Sequence, residues 1–174
     1  MLKRTTRWIR NRLVRWKVCR WKAVDIWSTG RYPDNVLSNL CDNEFVFDGV
    51  QCGSMEGFLQ SLKTEDEGYQ LQICIMGGRE AKKESEGVRL YSWRRRQTVY
   101  WKGKAMYRPS EEFALLVREA YKAMFEQNQC FREALLSTKG KRLYHRRGGD
   151  DPTKTILTEK EFCEILTELR EKKC

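Results

Sequence analysis

The sequence predicts an α+β fold, mainly helical, in a single compact domain with small β-hairpins packed on helices. Apolar residues recur at helical spacing, most plainly Met55, Phe58, Leu59 and Leu62, and again Phe113, Leu116, Val117, Ala120 and Met124. The strand signals are short and lie around tight-turn dipeptides, as in Glu44-Phe45-Val46-Phe47, Asp48-Gly49, Val50-Gln51-Cys52. A length of 174 residues with 40% hydrophobic content supplies one core of ordinary domain size.

Taken in order, residues 1–22 hold nine basic residues and no acidic one, while the rest of the chain carries 25 basic against 24 acidic residues. The net charge of +10 therefore belongs to this segment. Its tryptophans alternate with arginines in Arg7-Trp8, Arg15-Trp16 and Arg20-Trp21. On a helix, apolar and basic side chains mix around the circumference, so no membrane-facing stripe forms. Cations that neutralise phosphates, interleaved with indoles that stack on bases, suit nucleic acid. The segment is expected to be an arm contacting DNA or a flexible extension, with the domain proper at residues 23–174. Val24 and Ile26 make a short strand of Ala23 to Trp27, and Tyr32-Pro33-Asp34-Asn35 a turn. The Asp48-Gly49 hairpin delivers the chain to Ser54 and a helix through Lys63.

Thr64 with Glu67 forms a capping box and Gly77-Gly78 a stop, which favours a helix between them although Tyr69, Leu71, Ile73 and Ile75 alternate as in a strand. Arg79 to Gly87 is a solvated helix or loop. In Leu90 to Trp101 the latter part reads as a β-ribbon continuing through the Lys102-Gly103-Lys104 turn to Tyr107. Pro109-Ser110-Glu111-Glu112 opens a long helix, and a second, with Phe131, Ala134 and Leu135, stops at Lys139-Gly140. Leu143 to Pro152 reads as a long polar loop, and Thr158 with Glu161 caps a final helix carrying Phe162, Ile165, Leu166 and Leu169.

Seven cysteines without a C-x-x-C pair and a single histidine, His145, argue against a disulfide framework and a zinc site. No metal and no cofactor is expected, and no G-x-G-x-x-G, P-loop or Ser/His/Asp set occurs. No apolar run approaches the roughly 20 residues of a membrane span. A soluble cytoplasmic protein, monomeric or a weak homo-oligomer, is the expectation.

The chemistry points to the helix after Ser54. Glu56, Gln60 and Lys63 form a polar stripe about a quarter-turn from the apolar one, where a cleft wall or simple solvated charge would both fit. Leu37-Ser38-Asn39-Leu40, Phe45-x-Phe47-Asp48-Gly49, Ser54-x-Glu56 running into Gln60-x-x-Lys63, Gln127-Asn128 and Leu135-Leu136-Ser137-Thr138 follow one another. In order and spacing this set resembles the YbiA-like, or NADAR, family over roughly Val24 to Arg170. The resemblance implies an N-glycosidase acting on nucleotides derived from NAD or ADP-ribose, above all removing ADP-ribose from guanine in DNA or nucleoside. A hydrolase of a phosphoribosyl riboflavin-pathway intermediate and a non-enzymatic module binding ADP-ribose or nucleic acid are the alternatives.

By the same resemblance Glu56 and Asp151 are the catalytic carboxylates. Asn39, Lys63, Arg79, Trp93 and Trp101 bind substrate, the cations at phosphate and a tryptophan on the base. The family's Trp-Gly after the late aspartate is replaced here by Pro152-Thr153-Lys154, which leaves Asp150 beside Asp151 as a candidate. Arg7, Trp8, Arg15, Trp16, Arg20 and Trp21 would be the nucleic-acid arm.

Overall fold

A computed structural model describes residues 2–20, 22–87 and 92–171, with the side chains of residues 2–8 and Cys19 left out of the description. The elements in order are α1 (Leu2–Cys19), β1 (Ala23–Asp25), β2 (Phe45–Phe47), β3 (Val50–Cys52), α2 (Met55–Ser61), α3 (Glu67–Cys74) and α4 (Gly78–Gly87). There follow α5 (Ser92–Arg96), β4 (Thr98–Trp101), β5 (Lys104–Tyr107), α6 (Glu111–Gln127), α7 (Gln129–Leu136), β6 (Arg142–Tyr144) and α8 (Glu159–Glu171). The expected mainly helical α+β fold is present. No helix among the described residues is long and apolar enough to cross a membrane.

Helix α2 lies at the centre because its apolar stripe is satisfied on several sides. Met55, Phe58, Leu59 and Leu62 are all at most 2% exposed, and α2 packs on both α3 and α4. Gly57 permits this approach, since a Cβ there would sit 2.9 Å from the Cys74 carbonyl oxygen. Ser54 caps the helix by accepting from the Gly57 N–H at 2.9 Å and donating to the Met76 carbonyl at 3.1 Å.

The hairpin β2–β3 pairs Phe45 with Cys52, and its turn has Asp48 at φ 50° and Gly49 at φ 76°. Strands β4 and β5 form a second hairpin around Lys102 and Gly103. Its Trp101 ring meets Phe58 at 5.2 Å and Phe47 at 5.8 Å, so this aromatic of the ribbon serves the core.

Three local expectations change. Helix α3 starts at Asp66, whose carboxylate accepts from the Tyr69 N–H at 2.9 Å, while Thr64 accepts from the Asp66 N–H. The cap moves because the carboxylate offers the stronger acceptor to the orphan donor. The expected polar loop begins as a strand: β6 pairs in parallel with β1, Leu143 opposite Val24, and Leu143 is buried. A three-residue strand whose partner lies near the other end of the chain carries no local signature.

Residues 2–19 form a helix seated on the body instead of a flexible extension. Val14 is 2% exposed, and the Lys22 carbonyl accepts from the Arg142 N–H at 3.2 Å. At the other end of the chain, the Thr158–Glu161 capping box forms as expected, and Glu161 also holds the buried Arg108 guanidinium through two bonds of 2.7 and 2.6 Å.

Candidate active site

Because the apolar stripe of α2 is fixed in the core, its polar stripe is carried to the core's edge, and there Glu56 and Gln60 are only 8% and 5% exposed. Burying a carboxylate is costly unless it is bonded. Oε1 of Glu56 accepts from Gln60 Nε2 at 2.7 Å and lies 3.8 Å from Lys82 Nζ. Gln60 in turn accepts from Lys63 Nζ and Ser85 Oγ. One amide thus ties the carboxylate of α2 to its lysine and to α4.

The backbone N–H of Glu56 donates to the Asn39 carbonyl at 3.0 Å, and the Asn39 side-chain oxygen accepts from the buried Tyr121 hydroxyl at 2.7 Å. That leaves the Asn39 amide nitrogen as the end available to a ligand.

These groups line a cleft of about 240 Å³. Its other walls are Lys82, Ser85 and Glu86 on α4, Arg94 on α5, and from the later loop His145, Arg147 and the stretch from Lys154 to Leu157. Cations outnumber carboxylates, which suits a phosphate-bearing ligand. Burial pushes the Lys63 amine down to about 8; Glu56 opposes the shift, while Arg94 and Lys82 reinforce it. Lys63 therefore changes charge in the slightly alkaline range. Among the described residues no group of three or more His, Cys, Asp and Glu side chains is arranged to hold a metal ion.

Of the residues named from the sequence, the structure brings Glu56, Lys63 and Asn39 to this cleft. Trp93 and Trp101 lie elsewhere, 2% and 5% exposed. Trp93 is turned into the core while the adjacent Arg94 faces the cleft, and Trp101 donates its indole N–H to Asp48 at 3.1 Å. Large aromatic rings gain more from core burial than from a polar wall.

Arg79 is exposed, with its guanidinium 3.4 Å from the Ser28 carbonyl. Asp151 is also exposed: its carboxylate folds back on Thr153, and these bonds with Lys154 hold it below the usual carboxylate range. Asp150 turns toward Arg10 at 3.8 Å. The positions that the 150–155 turn contributes to the cleft are Lys154 and Thr155.

On α1, Arg15 and Trp16 are exposed, and the Arg20 guanidinium stacks 4.4 Å from the Trp16 ring. The side chains of Arg7 and Trp8, all of Trp21, and Leu90-Tyr91 ahead of the expected ribbon lie outside the described residues. No described residue of α1 lines the cleft.

Sequence reasoning missed Lys82, Arg94, His145 and Arg147 as cleft residues. The signal available for His145 was its singularity within a polar, glycine-containing stretch.

Residues 31–171 match the family described as bacteriophage protein GP30.3. A 17.1 kDa protein from the Gp30–rIII intergenic region of Enterobacteria phage T4 is 37% identical over 149 residues, covering 85% of this chain and 97% of that protein. The NMR structure of the E. coli protein YbiA superposes with a TM-score of 0.58 at 20% identity, over 86% of this chain and 84% of YbiA. The fold is therefore YbiA-like.

Proposed function

The chain belongs to the bacteriophage GP30.3 family, and from that premise we propose that it is an N-glycosidase hydrolysing the ribose-to-base bond of an ADP-ribosylated nucleotide, with ADP-ribosyl guanine as substrate. The observation that carries this is the recessed Glu56 carboxylate, held by Gln60 through one oxygen and facing a cleft walled by cations. Breaking the bond develops positive charge on the sugar ring. A carboxylate at that position stabilises the charge and takes a proton from the attacking water, as the carboxylates of glycosidases do. Lys63, Lys82 and Arg147 meet the diphosphate, and the Asn39 amide holds a ribose hydroxyl.

The test is a product assay on ADP-ribosyl guanosine and on guanine-modified DNA with wild-type protein and Glu56→Gln. Released ADP-ribose from the wild type, lost in a variant of native circular dichroism, supports the assignment. A variant as active as the wild type overturns it.

A small-molecule substrate, the free ADP-ribosyl nucleoside or a phosphoribosyl riboflavin-pathway intermediate, is favoured over a polymer by one feature. Helix α1 contributes nothing described to the cleft. The ratio of rates on nucleoside and DNA decides between them.

A further inference from the structure

We propose that His145 is the proton donor to the departing base, an inference that rests on the glycosidase reading above. His145 is the sole histidine of the chain and lines the same cleft as Glu56. Its Nδ1 lies 2.7 Å from the Ile26 carbonyl oxygen. A carbonyl only accepts, so Nδ1 carries hydrogen. Nε2 makes no hydrogen bond with a described residue and is the nitrogen the ring offers to a ligand.

The ring is held for this task. It packs edge-on against Phe162, with centroids 5.3 Å apart. The His145 main-chain N–H donates to Glu159 Oε1 at 3.2 Å, and its carbonyl accepts from the Gly148 N–H at 2.7 Å. A Cβ on Gly148 would sit 2.6 Å from His145 Cδ2, so only glycine allows the loop to close over the ring. Glu159 is in turn ion-paired with Arg10 of α1 at 2.9 Å and donates its N–H to the Gly149 carbonyl at 3.0 Å.

The charged groups around His145 are Glu159 on α8 with Arg10 on α1, Asp25 on β1 bound to Arg146, Arg147 and Lys154 in its own loop, and Glu56 across the cleft. Three carboxylates against four arginines and lysines place the ring in a mixed field.

In the step, the bond from the ribose anomeric carbon to the base nitrogen breaks and its electron pair stays on the base. The base takes the Nε2 proton of the imidazolium. Water oxygen bonds to the anomeric carbon, Glu56 takes the proton water releases, and solvent carries a proton back from Glu56 to His145. Charge and atoms balance without a further reactant.

The experiment compares wild type and His145→Gln on two substrates: ADP-ribosyl guanosine, whose base must be protonated to leave, and ADP-ribosyl 4-nitrophenolate, whose leaving group departs as an anion. The expected result is a loss of about 100-fold or more on the guanine conjugate, with the nitrophenolate hydrolysed at the wild-type rate. The second substrate also reports that the variant is folded.

A variant that cleaves the guanine conjugate like wild type, or loses both substrates equally, overturns the assignment of His145 while leaving Glu56 standing. Wild-type protein that cleaves neither substrate overturns the glycosidase reading and this role with it.

Discussion

Two openings among the described residues differ in character, and the larger has the more evenly balanced charge. The groove between α1, β6 and α8 has a volume of about 990 Å³, the cleft at α2 about 240 Å³. Yet the groove's charges are matched in kind and largely paired with one another: Arg10 with Glu159 and Asp150, Lys160 with Glu164, Arg170 with Glu171. The cleft instead gathers more cations than carboxylates around a buried Glu56 whose hydrogen-bond partner Gln60 is itself buried. What distinguishes them is the cost of desolvating charge without full compensation, which structures bear mainly where a ligand repays it.

After the Glu56 and His145 variants, the largest effect should come from Gln60→Ala. It frees Glu56, Lys63 and Ser85 at once, so turnover on ADP-ribosyl guanosine should fall about 10- to 100-fold, with about 1–3 kcal/mol lost in urea unfolding because buried partners go unsatisfied. Unchanged kinetics would put the cleft on the same footing as the groove.

Next comes Glu159→Ala, on the wall between the two openings. It removes the Arg10 pair and the bond to the His145 N–H, and should cost about 1–3 kcal/mol as well as shifting the His145 imidazole resonances in NMR. Loss of stability with an unmoved imidazole spectrum would show that groove and cleft are independent.

The pH dependence sharpens the contrast further. Lys63 is cationic below about 8 and neutral above it, so KM for a phosphate-bearing substrate should rise between pH 7 and pH 9. In Lys63→Met the rise attributable to this group should vanish.

A smaller effect is expected on α1. Removing residues 1–22 would also strip away Val14 and Arg10, so Arg15→Glu is the cleaner probe. It should weaken binding to guanine-modified DNA mainly at low salt and leave the free nucleoside rate unchanged, measured by anisotropy titration and product assay.

Smallest of all, Lys160→Ala in the groove removes one solvent-exposed i,i+4 pair. It should change stability by less than about 0.5 kcal/mol by urea unfolding and leave activity alone.

Legibility in the sequence followed the range of the interaction. The stripe of Glu56, Gln60 and Lys63 could be drawn because helical spacing is a local property. The Asp48-Gly49 hairpin and the Thr158–Glu161 cap could be drawn because each closes within a few residues. The tryptophans show the opposite case: a helix turns about 100° per residue, so whether Trp93 or Arg94 faces the cleft depends on how α5 packs, which no neighbouring residue encodes. Asp151 was picked by motif position, but the turn that follows directs its carboxylate to Thr153.

By itself the chain determined its longer helices, its two hairpins, the carboxylate-bearing helix and, through ordered motifs, its YbiA-like fold. Those features arise from periodicity, capping and turn geometry, which act over a handful of positions. Only the tertiary structure decided that α1 is docked, that β6 pairs with β1, and that His145, Lys82 and Arg147 converge on Glu56. These depend on contacts between segments far apart in the chain, where a side chain's role is set by what the rest of the molecule leaves around it.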